Sequence, residues 1–197
     1  MNQQARMFLT GLGIPAVDAE IALSAPTATH AIGHVADFLT KPTERILLLS
    51  GKPGCGKTIA AAHWLANLPR YAKHTDTPEG WGWAAGRAQF VSAYAISRLN
   101  LRYRDEDRAA MDGWKRSTWL VIDDLGTEAA DALSVVEELI DARCRVGWTV
   151  ITTNLPAKKL AESDFAKRYG ERIASRIFGN GRVGVCGSQD LRMGGAA

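Results

Sequence analysis

Short runs rich in aliphatic and β-branched residues recur along the chain, each of a length that suits a buried strand. They fall at residues 46–50 (ILLLS), 88–91 (AQFV), 118–124 (TWLVIDD), 148–154 (WTVITTN) and 182–187 (RVGVCG). Between them the apolar positions take helical spacing. In 29–39 (THAIGHVADFL), Ile32, Val35, Phe38 and Leu39 share one face and Thr29 offers an N-cap. Helices are also predicted over 57–68, after AQFV, over 106–115, over 128–146, and over 168–179 with Gly179 as a stop signal. Pro15, Pro26 and Pro42 break up the first 45 residues, Pro69 should end the 57–68 helix, and residues 70–87 read as a loop. Strands alternating with helices predict an α/β domain around a mostly parallel five-stranded sheet. A helical segment over 1–45 precedes a core over 46–197.

Composition narrows this to one soluble domain. The 197 residues are 46% hydrophobic and 23% charged, enough for one core and too short for two large domains. A net charge of +3 permits nucleic-acid binding without arguing for it. Cys55, Cys144 and Cys186 are odd in number and far apart, so they spell neither a disulfide framework nor a zinc motif. The N-terminus lacks a signal-peptide pattern and no segment is apolar enough to span a membrane. A cytoplasmic protein with no membrane partner is expected.

The chemistry begins at LLLSGKPGCGKT, residues 47–58. Gly51, Gly56, Lys57 and Thr58 satisfy the spacing G-x-x-x-x-G-K-T between a strand and a helix. Glycines let the backbone of Gly51, Lys52, Pro53, Gly54, Cys55 and Gly56 wrap close to phosphates, with N–H groups turned inward and a helix N-terminus behind them. Lys57 would reach the β- and γ-phosphates, and the Thr58 hydroxyl would be a Mg²⁺ ligand. Cys55 is expected to be incidental, though its alkylation should block nucleotide.

A second signal is the acidic pair closing TWLVIDD. Asp123 at a strand's C-terminal edge can hold Mg²⁺, and Asp124 can act as general base toward an attacking water, or simply cap the next turn. AQFV, lying between Thr58 and Asp123 in the chain, supplies the further strand of an additional-strand ATPase. A small GTPase is disfavoured, since no Asn-Lys-x-Asp segment is present.

From about Gly13 to Arg192 the chain resembles the AAA+ ATPases, within them the DnaC-type helicase loaders and IstB-type transposition helpers. The segments that carry the resemblance are GIP (13–15), VIDDLGTE (121–128), ITTNLP (151–156), GERIASRIFG (170–179) and GSQDLR (187–192). It implies an additional-strand (ASCE) P-loop NTPase core with a reduced or absent lid, ATP and Mg²⁺ as cofactors, and a homo-oligomer. By the same resemblance Ile14 approaches the adenine, Asn154 orients the attacking water, and Arg176 is the arginine finger serving a neighbour's ATP. Arg172, one turn away, is the other choice, and both also suit a solvated helix face. Arg192 would be a second sensor contacting phosphate in cis.

The resemblance further implies single-stranded DNA and a hexameric, DnaB-like replicative helicase as partners. Arg98, Arg102, Tyr103 and Arg104 could supply phosphate contacts and stacking, although Asp105, Glu106 and Asp107 nearly cancel their charge. Trp81 and Trp83 suit a small satellite core better than base stacking. His30 and His34 lie one turn apart without an evident third metal ligand. The alternatives are an IstB-like helper acting on duplex DNA, a nucleotide-gated adaptor with little turnover, and a small-molecule P-loop kinase.

Overall fold

A computed structural model describes residues 3–24, 29–41, 43–71, 84–99, 104–157, 163–187 and 189–191. Pro26, Pro42, Trp81, Trp83, Arg102, Tyr103 and Arg192 lie outside these residues. Three helices come first: α1 (Gln3–Gly11), α2 (Ala16–Leu23) and α3 (His30–Thr40). Thr29 caps α3 as expected, its hydroxyl accepting from the Ile32 N–H at 3.2 Å. Then follow β1 (Ile46–Ser50), α4 (Lys57–Tyr71), β2 (Ala88–Ser92), α5 (Ala93–Ser97), α6 (Asp105–Arg116) and β3 (Trp119–Leu125). A 3₁₀ turn (Ala130–Ala132), α7 (Leu133–Arg143), β4 (Trp148–Thr153), α8 (Asp164–Asn180) and β5 (Gly181–Val185) complete the order.

The five strands form one sheet in the order β2-β3-β4-β1-β5, every pair parallel. This is the parallel α/β architecture that the strand–helix alternation predicts. Along β1 successive side chains face opposite layers, as the pleat requires. Leu47 and Leu49 join a core with α1–α4, while Ile46 and Leu48 join one with α5–α8. Burial on both sides explains why β1 and β3 read as continuous apolar runs.

Five details differ from the sequence reading. The strand that separates β1 from β3 in space is β4; AQFV lies at the edge, beyond β3. Sequence order does not fix sheet order. Next, α4 runs through Pro69 to Tyr71; the proline falls in the last turn, so the bond its missing N–H removes lies where the helix is already ending. Residues 84–87 carry helical turn within the expected loop.

The helix expected over 128–146 is shortened at both ends. Ala129 is extended, and Glu128 turns inward as a buried acceptor instead of opening the helix. At the other end Cys144 caps α7 and Gly147 takes φ +65°. Finally, α8 starts at Asp164, where the Ser163 hydroxyl accepts from the Ala166 N–H at 3.0 Å, and continues past Gly179. The glycine that interrupts it is Gly170, at φ +79°. Among the described residues no helix follows β5, and none is long and apolar enough to cross a membrane.

Candidate functional site

The C-terminal ends of β1, β3 and β4 converge at the glycine turn. Gly54 and Gly56 have φ of +80° and +86°, the left-handed region that a side chain would strain. The turn thereby folds back on itself and delivers the chain into α4 at Lys57. Lys57 is only 5% exposed. Its ammonium donates to the carbonyls of Gly51 and Lys52, both at 2.9 Å, and to Oδ1 of Asn154 at 2.9 Å. A buried cation held by three oxygens has its charge satisfied, yet all three partners belong to the turn or to the residue after β4.

The next residue bridges to β3. Thr58 Oγ1 donates to the Asp123 carboxylate, at 3.0 Å from one oxygen and 3.1 Å from the other. Thr152 on β4 donates to the same carboxylate at 2.6 Å. Burial pushes Asp123 up to about 6, and Asp124 adds to the rise, against the lowering effect of Thr152, Thr58 and Lys57. Asp124 is half-buried and takes φ +56°, uncommon for a residue with a side chain. The β3–β4 register shifts between Ile122 and Leu125, and the Asp124 N–H turns to Thr152 Oγ1 at 2.9 Å. At this bulge the backbone of Asp124 leaves the regular ladder.

Glycine turn, Lys57, Thr58, Asp123 and Asn154 therefore come together. The donor set fits a magnesium-bound triphosphate. A hydroxyl and a carboxylate already in contact are hard oxygen ligands, a buried ammonium stands beside them, and a helix N-terminus closes the turn. Ile14 is buried in the apolar cluster that holds residues of α1–α4 together with Cys55 of the turn, and its N–H donates to Leu9 O at 3.2 Å. Lys52 and Pro53 are exposed at the turn's rim.

Arg172 and Arg176 lie apart from this group. Both pair with Asp141 on α7, Arg176 through Nε at 2.7 Å. Arg176 also lines a shallow basic cleft of about 520 Å³ with Lys115, Arg116, Asp141 and Arg145. Arg98 is exposed and lies over the exposed ring of Tyr94, 5.9 Å from its centroid. Arg104 is exposed ahead of α6. His34 Nε2 contacts Val185 O at 3.3 Å. No cluster of three or more potential metal ligands from His, Cys, Asp and Glu occurs among the described residues.

Two features of the site escaped the sequence reading. Glu128, 3% exposed, accepts from the Gly126 N–H at 2.8 Å, from Arg168 Nε at 2.9 Å and from the Tyr169 hydroxyl at 2.7 Å. Burial alone would raise its carboxyl, but these donors together hold it below the usual range. It ties the turn after Asp124 to α8. The second feature is at Gly54, whose carbonyl accepts from the Leu191 N–H at 3.0 Å while the Asp190 carboxylate stands against its Cα. The segment after β5 thus lies on the glycine turn, next to where Arg192 follows in sequence.

No protein-family model and no curated protein matches the sequence. Solved structures do. The DnaC helicase loader superposes with a TM-score of 0.53 at 23% identity, over 78% of this chain and 86% of that one. DnaI gives 0.57 at 20% identity, over 80% and 83%. A candidate primosome component from Streptococcus pyogenes serotype M3 gives 0.58 at 17% identity, over 92% and 96%. The chain shares the fold of these structures: one parallel five-stranded sheet in the order β2-β3-β4-β1-β5, flanked by helices on both faces.

Proposed function

We propose that the chain is an ATPase that binds ATP with Mg²⁺ between the glycine turn and the end of β3 and works as a DnaC-like helicase loader on single-stranded DNA. The observation that carries the nucleotide reading is the contact of Thr58 with both oxygens of Asp123 beside the buried Lys57. Bound Mg²⁺ would neutralise phosphate charge and polarise the γ-phosphoryl group for attack by water. Lys57 would exchange its loop carbonyls for phosphate oxygens. Thr58 and Asp123 would exchange their mutual bond for the cation, directly or through water. Asp124 would take the proton of the attacking water, with Asn154 orienting that water from the β4 side.

The loader reading draws on the fold shared with DnaC and DnaI, and on Arg98 and Arg104 standing exposed after β2 in the chain. A homo-oligomer follows from assigning Arg176 to a neighbour's site, and a DnaB-like hexamer is the protein partner of this reading. Ile14 beside the adenine and Arg192 as a cis phosphate contact belong to the same proposal.

The test is the ATPase rate per chain against protein concentration, with and without single- and double-stranded DNA, in wild type and Arg176→Ala. Stimulation by single strands, rising with concentration and lost in Arg176→Ala, supports the loader. Preference for duplex would move the assignment to an IstB-like helper. Tight ATP binding without turnover under every condition would leave a nucleotide-gated adaptor.

A further inference from the structure

Cys55 lies inside the glycine turn, and Cys186 follows directly after β5. The parallel register sets Val185 beside Ser50, and the Cys186 N–H donates to Ser50 O at 2.7 Å, so Cys186 starts alongside Gly51. Gly51 leaves the space that lets the two cysteines approach. A Cβ built on it would meet Cys186 Cβ at 2.9 Å and Cys55 Sγ at 3.0 Å. With only hydrogen at that position, the Cys55 sulfur and the Cys186 side chain flank the same small space beside Gly51. They are 4% and 6% exposed, while Cys144 lies on the opposite face of the sheet.

We propose that Cys55 and Cys186 form an oxidisable dithiol, a modification site for peroxide whose disulfide ties the glycine turn to the end of β5 and shuts the nucleotide site. Burial selects the oxidant: hydrogen peroxide is small enough to reach these sulfurs, whereas a peptide disulfide such as oxidised glutathione is not. Lys57 Nζ donates to Cys55 Sγ at 3.6 Å. A cation therefore stands beside the sulfur that carries negative charge as it attacks. Burial, with Cys55 next to it, pushes the Cys186 thiol up to about 12, so Cys186 stays protonated and Cys55 is the attacking partner.

The steps balance. The Cys55 thiolate attacks one peroxide oxygen, breaking the O–O bond and giving a sulfenic acid and hydroxide, which takes up the proton the thiol released and leaves as water. Cys186 sulfur then attacks the sulfenic sulfur; the S–O bond breaks, and the departing hydroxide leaves as water with the Cys186 proton. The two thiols lose two electrons and two protons in total, and the peroxide becomes two waters. An S–S bond of about 2.05 Å is shorter than any thiol–thiol contact, so Cys55 is drawn toward β5 and the N–H groups of the turn leave their phosphate-facing arrangement.

The closing of the site rests on the nucleotide reading; formation of the bond does not, and the experiment separates them. The full chain is treated with hydrogen peroxide and examined by non-reducing peptide mapping and by counting thiols after denaturation. A Cys55–Cys186 cross-linked peptide, a fall from three thiols to one, and reversal by dithiothreitol are expected. Cys186→Ser should give no cross-link and a sulfenic acid at Cys55 that dimedone traps. Three thiols remaining, or pairing through Cys144, overturns the site. Binding of a fluorescent ATP analogue to the same samples should weaken at least tenfold on oxidation and recover on reduction. Equal binding by oxidised and reduced chains overturns the shut-off. No binding by the reduced chain overturns the nucleotide reading together with the shut-off, while the mapped disulfide stands.

Discussion

The ammonium of Lys57, at the start of α4, and the side-chain amide of Asn154, just after β4, meet at 2.9 Å. The strand pairing makes this possible: β4 lies directly beside β1, so the residue leaving β4 emerges next to the turn leaving β1. Asn154 is exposed on its other side, so it costs little to keep and is free to turn toward an incoming water. We expect Asn154→Ala to lower the steady-state ATPase rate about 10²-fold, the scale of losing one polar group aimed at a reacting centre. Affinity for a non-hydrolysable ATP analogue should change no more than a few-fold. An unchanged rate would remove Asn154 from the reaction.

Asp123 makes stability depend on pH in an unusual direction. Its folded-state value, about 6 against an ordinary 3.8, means the folded chain holds a proton that the unfolded chain has released. Bound protons in excess on the folded side make stability fall as pH rises, across the window from about 4 to about 6. Two units correspond to about 3 kcal/mol. Glu128 works the other way below its ordinary 4.5, since its carboxyl is held down and its contribution is lost on acidification. The difference between wild type and Asp123→Asn isolates the effect. In magnesium-free buffer the melting temperature of Asp123→Asn, minus that of wild type, should grow between pH 4 and 6 and then level off. A flat difference would show that Asp123 is charged at no cost in the folded chain.

What the sequence made legible was what repeats locally. The runs at β1 and β3 are apolar throughout because both faces are covered, and the glycine turn with its Lys-Thr needs only eight residues to be read. Glu128 was not legible, because an acid after a Thr in a turn also spells a helix start. Its real partners, Arg168 and Tyr169, lie about forty residues away. The same holds for Cys55 and Cys186 standing together at Gly51, which depends on β5 pairing with β1, and for β4 separating β1 from β3. Gly179 and Pro69 look like stops in isolation, and helix ends are decided by packing and capping as much as by propensity.

Arg143 supplies a test of the scaffold alone. Its side chain is fully buried, and its guanidinium has no carboxylate partner among the described residues. Instead it donates to Thr149 Oγ1 at 3.0 Å, to the carbonyls of Lys115 and Trp148 at 3.1 Å each, and to those of Trp114 and Ser117. Burial pushes it down to about 10, so it remains charged at neutral pH. It ties the end of α6 to the starts of β3 and β4. Arg143→Met keeps much of the volume but takes the guanidinium donor from those carbonyls, although that of Trp114 keeps the Ser117 hydroxyl at 2.9 Å, for a loss of about 3 kcal/mol or more. Thermal unfolding should drop by about 6–12 °C in a chain of this size. A change within about 2 °C would mean that water replaces the guanidinium without penalty.

Glu128 links the turn after β3 to the helix carrying Arg172 and Arg176. Glu128→Gln keeps the shape but turns one acceptor oxygen into an NH2 donor, so that either the Gly126 N–H or the Arg168 and Tyr169 donors lose their acceptor. About 2 kcal/mol of stability should be lost, the scale of a charge-assisted hydrogen bond made in a buried position. Hydrogen exchange at Gly126 and Thr127, next to the acidic pair, should speed up more than exchange along β1. Uniform acceleration over both would reduce Glu128 to a general stabilising contact.

Arg172 and Arg176 share the carboxylate of Asp141, on the layer of α7 and α8, whereas Lys57 and Asp123 meet at the ends of β1 and β3. The proposal lends Arg176 to a neighbour's site, and mixing variants tests it. Lys57→Ala should disable the site that a subunit owns, and Arg176→Ala the finger it lends. Each variant alone should show under about 1% of wild-type ATPase, since a finger of this kind is worth about 10³–10⁵ in rate in other hydrolases. Mixed in equal amounts, they should recover activity, because a Lys57→Ala neighbour still offers Arg176 to an intact site. Recovery should rise with total protein and vanish on dilution. Arg172→Ala in place of Arg176→Ala distinguishes the two arginines, as the finger is the one whose loss needs a partner to repair. If no mixture recovers activity at any concentration while each variant stays folded and Arg176→Ala still binds ATP, each chain works with its own residues alone.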